Sequence, residues 1–297
     1  MAARTAPLQR LETSRPADRQ RGLGIALLVI SATLFSSAGL FTKGVAADAW
    51  SILFWRGLAA AAGTLAYIAL RGQLLSEWRR MGRAGWAVAV IGAIGSAAYI
   101  PALKITSIAN VTLIYAAVPL LAAAFAWVSI GERPSRRVGL CCLLAFLGVL
   151  VIVQGSLGQV VLTGDLLALV MTASLAAIMV IYRCYPETPA ALPAVFMSLF
   201  LLPPALLLTD PVAATGGEIG LMAAFGLVFA LAAVTLAEGA RRIAAAEAGL
   251  LSALETPLAP LWAWLLLAEL PPQATWIGGS LVMAAVLWAQ LPNRRRD

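Results

Sequence analysis

Ten apolar runs, each about as long as a bilayer core is thick, follow one another along this chain with only short gaps between them. They cover residues 22–42, 50–69, 85–103, 109–130, 137–153, 165–183, 190–208, 219–237, 246–267 and 274–291. A helix needs about 20 residues to cross ~30 Å of hydrocarbon. Lipid offers backbone N–H and C=O groups no partner, so only helices and closed barrels can span it. The runs lack the alternation of barrel strands. They predict an all-α polytopic membrane protein with ten transmembrane helices. Composition agrees, since charged residues are 12% of the chain against 61% hydrophobic, where a soluble domain carries about 25% charge.

The gaps set an orientation. With the N-terminus in the cytoplasm, 18 of the 21 Lys and Arg fall on the cytoplasmic side. Lys43 and Lys104 fall outside, and Arg56 lies within the second run. Such an asymmetry over short loops is the positive-inside pattern. It explains the net charge of +7 better than nucleic-acid binding does. The expected place is therefore a bacterial inner membrane, with both termini cytoplasmic. Residues 1–21 carry Arg4, Arg10, Arg15, Arg19 and Arg21 and read as a disordered basic arm. The run after them is too long for the core of a cleavable signal.

Several chemistries are excluded. The chain has no His, and Cys141, Cys142 and Cys184 have no metal-ligand spacing, so no metal or cofactor is expected. There is no nucleophile–base cluster, so the chain does not read as an enzyme. The phosphate-binding loop of ATPases is also missing.

An internal repeat organises the runs. Residues 98–104 resemble 236–242, and Pro119 has the same offset from Pro257. The next segments end on Glu132-Arg133-Pro134 and Glu269-Leu270-Pro271. The halves are then 22–153 and 164–297, joined by a polar stretch from Gln154 to Thr163. Five spans per half is odd, so the second half enters the membrane inverted. Inverted repeats place a substrate site between halves near the midplane.

Lys43 after the first span, Arg56 early in the second, Gly131-Glu132-Arg133-Pro134 after the fourth and Gly164-Asp165 opening the second half resemble the drug/metabolite transporter superfamily, in its EamA-type branch. Within it the chain looks most like bacterial exporters of aromatic and other amino acids. The resemblance implies a secondary transporter working by alternating access, with a central cavity lined by spans 1–4 and 6–9. Spans 5 and 10 would be peripheral. Export of drugs or other solutes is the alternative, and an assembly protein or intramembrane enzyme is a more distant one. The expected partners are a small-molecule substrate and the lipid bilayer, not nucleic acid, with a monomer as the simplest assembly.

The substrate-binding candidates are Tyr99, Tyr115, Glu255, Arg56, Thr112, Ser37 and Ser252. Arg56 offers a fork for a carboxylate, or snorkels to the interface. Glu255 lies deep in the ninth span, two residues before Pro257. It could meet an ammonium, carry a proton, or satisfy a kink. Tyr99 and Tyr115 could stack on an aromatic ring, and Thr112 shares a helix face with Tyr115. Ser37 and Ser252 either line the cavity or permit close helix packing. Asn110 and Lys104 read as interfacial, and Trp55 and Trp264 as weak cavity candidates.

Overall fold

The computed structural model describes residues 6–43, 45–106, 108–154, 161–267 and 273–291. Fifteen α-helices run through them: α1 Ala6–Ser36, α2 Ala38–Lys43, α3 Ala49–Leu70, α4 Leu74–Arg80, α5 Gly82–Ile105, α6 Ile108–Tyr115, α7 Val118–Ile130, α8 Arg136–Val153, α9 Leu162–Cys184, α10 Ala191–Leu199, α11 Leu202–Leu208, α12 Gly216–Ala240, α13 Ala245–Ser252, α14 Glu255–Leu267 and α15 Gln273–Gln290. A single 3₁₀ turn, Pro211–Ala213, precedes α12. There is no strand among the described residues.

Eight segments are long and apolar enough to cross a membrane. They match the second to ninth runs. The first and tenth runs fall on α1–α2 and α15. The described part of the basic arm is not disordered, because α1 starts at Ala6. Glu269-Leu270-Pro271, most of the 154–163 junction and Arg294 to Arg296 lie outside the described residues.

Helix ends follow local chemistry. Asp48 caps α3, its carboxylate accepting from the N–H groups of Trp50 and Ser51 at 2.8 and 3.3 Å. Thr215 and Glu218 form a capping box at the start of α12. The Gly131-Glu132-Arg133-Pro134 sequence is a helix stop. Gly131 ends α7 at φ 66°, a conformation that costs glycine nothing. Ser135 then caps α8, accepting from Val138 N at 3.2 Å.

Two spans expected as continuous helices are interrupted at mid-length. The fourth divides at Ala116–Ala117 into α6 and α7, and the ninth at Ala253–Leu254 into α13 and α14. Pro119 and Pro257 cannot donate to the carbonyls of Tyr115 and Ala253 four residues back, so the ladder fails there. Each proline is instead accommodated in the first turn of the next half-helix, where N–H groups lack partners anyway. The seventh run is likewise divided, into α10 and α11.

Packing is dominated by α8 against α15, α5 against α9, α12 against α3 and α1 against α12. Further pairs are α3 with α10, α5 with α10, α7 with α13 and α7 with α9. Small residues bring these backbones together. A Cβ on Gly226 would lie 2.3 Å from the Arg56 carbonyl oxygen, so only glycine lets α12 pass α3 at this depth.

The two ends of the bundle differ. Arg21, Arg80, Arg183, Arg241 and Arg242 form ion pairs at one end, here called the basic end. At the opposite end, Asp48 accepts from Thr209 Oγ1 and Asp165 from Thr106 Oγ1, at 2.6 and 2.8 Å. Asn110, read as interfacial, is buried there and donates to Thr106 and Asp165.

Candidate functional site

A cavity of about 150 Å³ lies inside the bundle. Its lining comes from α1, α2, α3, α5, α6, α9, α10, α12 and α14 and from Ala190 just before α10, and no residue of α8 or α15 is part of it. Four of the seven candidates meet here: Arg56, Tyr99, Tyr115 and Glu255. The walls between them are apolar, with Phe225, Phe229, Met171 and Met197 among them.

Arg56 sits two turns into α3 and is only 2% exposed. It does not snorkel. Its guanidinium donates to Ser96 Oγ and lies over the Phe229 ring, 4.3 Å from the centroid, with Phe225 at 5.5 Å. Such stacking favours a cation that has left water. Among the described residues no carboxylate forms an ion pair with it.

Glu255 opens α14. Its Oε2 accepts from the Tyr115 hydroxyl at 2.6 Å, a charge-assisted length if the carboxyl is ionised. No basic group pairs with it among the described residues. The cavity therefore holds one guanidinium and one carboxyl group, each without an ionic partner.

The other three candidates are elsewhere. Ser37 Oγ donates to the Leu34 carbonyl at 2.6 Å and Ser252 Oγ to the Ala248 carbonyl at 3.1 Å, so both are occupied by their own helices. Thr112 is on α6 and does not line the cavity. The weaker tryptophan candidates also face elsewhere: Trp55 donates to the Pro211 carbonyl at 2.8 Å, and Trp264 packs edge-on against Trp276. Sequence reading missed Ser96, Phe229 and Tyr182, which line the cavity. Ser96 follows Gly92 and Gly95, a small-residue cluster in the third span that was its one visible signal.

Residues 22–154 match the EamA-like transporter family. The matched stretch is the first half of the chain, which supplies Arg56, Ser96, Tyr99 and Tyr115 to the cavity. A crystal structure described only as that of a protein shares the fold of nearly the whole chain. It is 22% identical, covers 93% of this chain and 99% of its own, and has a TM-score of 0.81. No curated protein matches. Together with the eight segments long and apolar enough to cross a membrane, this match marks a multi-pass membrane protein whose first half is similar to a family of transporters.

Proposed function

We propose that the protein is a secondary transporter that exports small metabolites, amino acids including aromatic ones, across the bacterial inner membrane by alternating access. The observation that carries this reading is the pair of opposite, ionically unpartnered groups in one buried cavity. A buried charge without a partner costs several kcal/mol. A zwitterion meets both needs, with its carboxylate on Arg56 and its ammonium on Glu255. The volume suits an aromatic side chain as well, since a cavity of about 150 Å³ holds a benzene ring.

Ten spans in two inverted halves remain the best account of the architecture. Its support is the exchange of packing partners. Numbering spans one to ten, swapping the halves turns the third–sixth contact into the eighth–first, and the second–eighth into the seventh–third. The fourth–ninth, second–seventh and fifth–tenth contacts map onto themselves. All of these contacts occur. An approximate two-fold relation between five-span halves requires them to be inverted. The basic end is then cytoplasmic.

Proteoliposome flux with a substrate panel tests the function. L-Phenylalanine and L-leucine should move faster than into protein-free liposomes, while the uncharged analogue benzamide, which crosses bilayers unaided, should gain nothing from the protein. Protein-dependent movement of benzamide but of neither amino acid would reject the zwitterion. For topology, labels after Asn110 and after Glu247 should report opposite faces, and the same face for both would sink the inversion.

A further inference from the structure

The fourth and ninth spans are each two half-helices, and the two pairs behave differently. On the basic side of the breaks α7 and α13 are in close contact. A Cβ on Gly249 would lie 2.8 Å from Pro119 Cα. On the other side the partners diverge. α6 packs against α9 and α8, whereas α14 packs against α1 and α15. α6 and α14 are not among the closely packed pairs of the described residues. A side-chain bond ties the last residue of one to the first of the other, Tyr115 Oη donating to Glu255 Oε2 at 2.6 Å.

We propose that this bond is a ligand-operated tie: Tyr115 positions the Glu255 carboxyl group and holds α6 to α14, and an ammonium engaging Glu255 releases them. The release step rests on the reading of Glu255 as the ammonium contact, while the tie itself stands on packing alone. A carboxylate accepts on two oxygens. An ammonium therefore reaches Oε1 first, and the ion pair then weakens the bond that Oε2 accepts from Tyr115. The residues that absorb the motion are those of the two breaks, Ala116–Ala117 and Ala253–Leu254. α7 and α13, with no space between Gly249 and Pro119, stay together. Tyr115 is thus a positioning residue that couples occupancy of the cavity to the α6–α14 distance.

The test is pulsed electron paramagnetic resonance on the full chain in nanodiscs, with spin labels at Leu113→Cys on α6 and Leu265→Cys on α14. Cys141, Cys142 and Cys184 are replaced by Ala. L-Phenylalanine is the probe. It should shift the distance in the unmodified site to longer values. Tyr115→Phe should show the longer distance without any probe. Glu255→Ala, which removes the acceptor and keeps the tyrosine, should do the same. Glu255→Gln retains a carbonyl that accepts from Tyr115, so it should stay short with and without phenylalanine. Short distances in Tyr115→Phe and Glu255→Ala would overturn the tie. If those two lengthen but phenylalanine neither binds nor shifts the unmodified protein, the tie survives. Release by this ligand is then overturned together with the amino-acid reading.

Discussion

At the basic end Arg21 reaches Glu247, Arg80 reaches Glu187 and Arg183 reaches Glu132, at 3.1, 2.7 and 2.9 Å. At the opposite end Asp48, Asp165 and Glu218 are met by hydroxyls, an amide and a backbone N–H: Thr209, Thr106, Asn110 and Ala46. Both sets join the first half of the chain to the second. Among the described residues one does so with full charges and the other with dipoles, since the arginines are concentrated on one side. Salt should act chiefly on the first end, whereas strong acid removes a defined anchor from the second.

The largest expected effect is at Asp48. It caps α3 and also accepts from Ser51 and Thr209 hydroxyls, both at 2.6 Å. Loss of a cap typically costs about 1 kcal/mol and at most ~2, and the Thr209 hydroxyl, left with Ser51 Oγ at 3.2 Å, should bring Asp48→Ala to between about 1 and 2 kcal/mol. Asp48→Asn should cost less than half of that. Thermal unfolding in detergent checks both, and equal losses for Ala and Asn would mean that the cap is not what matters.

Acid should unlock the same end. Burial raises the pKa of Asp48, but the bonds from Ser51, Thr209 and the Trp50 and Ser51 N–H groups outweigh it and hold it at about 2, against an ordinary 3.8. A folded value below the unfolded one stabilises the fold above the unfolded pKa. That contribution is complete above about pH 5 and is lost as pH falls through about 2. The melting temperature of the unmodified protein should drop over this interval, and that of Asp48→Asn should drop less. Parallel curves would count against the assignment.

Glu77, on α4 beside the basic end, has the opposite sign. Burial raises its pKa, only partly countered by the Leu192 N–H that it accepts at 2.7 Å. The ionised carboxylate is therefore the costly form. Stability should rise as pH falls from neutral through its raised pKa, and then level off. Glu77→Gln keeps an acceptor for Leu192 without the charge, so it should be neutral or stabilising by ~0.5 kcal/mol at pH 7. Destabilisation beyond about 1 kcal/mol would show that charge at this position is needed.

What could be read in advance was whatever is local. The apolar runs located the eight spans, and the Gly131 to Ser135 sequence holds its own stop and start signals. Glu255 and Arg56 stood out because ionisable groups are rare in such runs. The rest depends on contacts between distant segments. Nothing near Arg56 in sequence announces Ser96 or Phe229, and nothing near Asp48 announces Thr209, 161 residues away. Thr112 shares the face of Tyr115 by spacing, yet only Tyr115 reaches the cavity, because α6 ends there and turns. Ala116–Ala117 carries no breaking signal of its own. The break comes from Pro119 acting backwards on the carbonyl of Tyr115.

The ion pairs should also have small effects, and their ranking follows from exposure. Glu132 and Arg183 keep 24% and 35% of their side-chain surface, whereas Glu187 and Arg80 keep 91% and 52%. Water and ions screen an exposed pair almost completely, and two long side chains lose rotamer freedom to hold it. A double-mutant cycle on Glu132→Gln and Arg183→Gln should give a coupling of about 0.5–1 kcal/mol, while Glu187→Gln and Arg80→Gln should give less than ~0.3. The first coupling should fall by about half between 0.05 and ~0.5 M salt, as the screening length shortens to a few Å. The Asp48–Thr209 cycle at the other end should barely respond, since it pairs a charge with a dipole whose interaction is already short-ranged. If all three cycles show the same salt dependence, the two ends are not held by different chemistry.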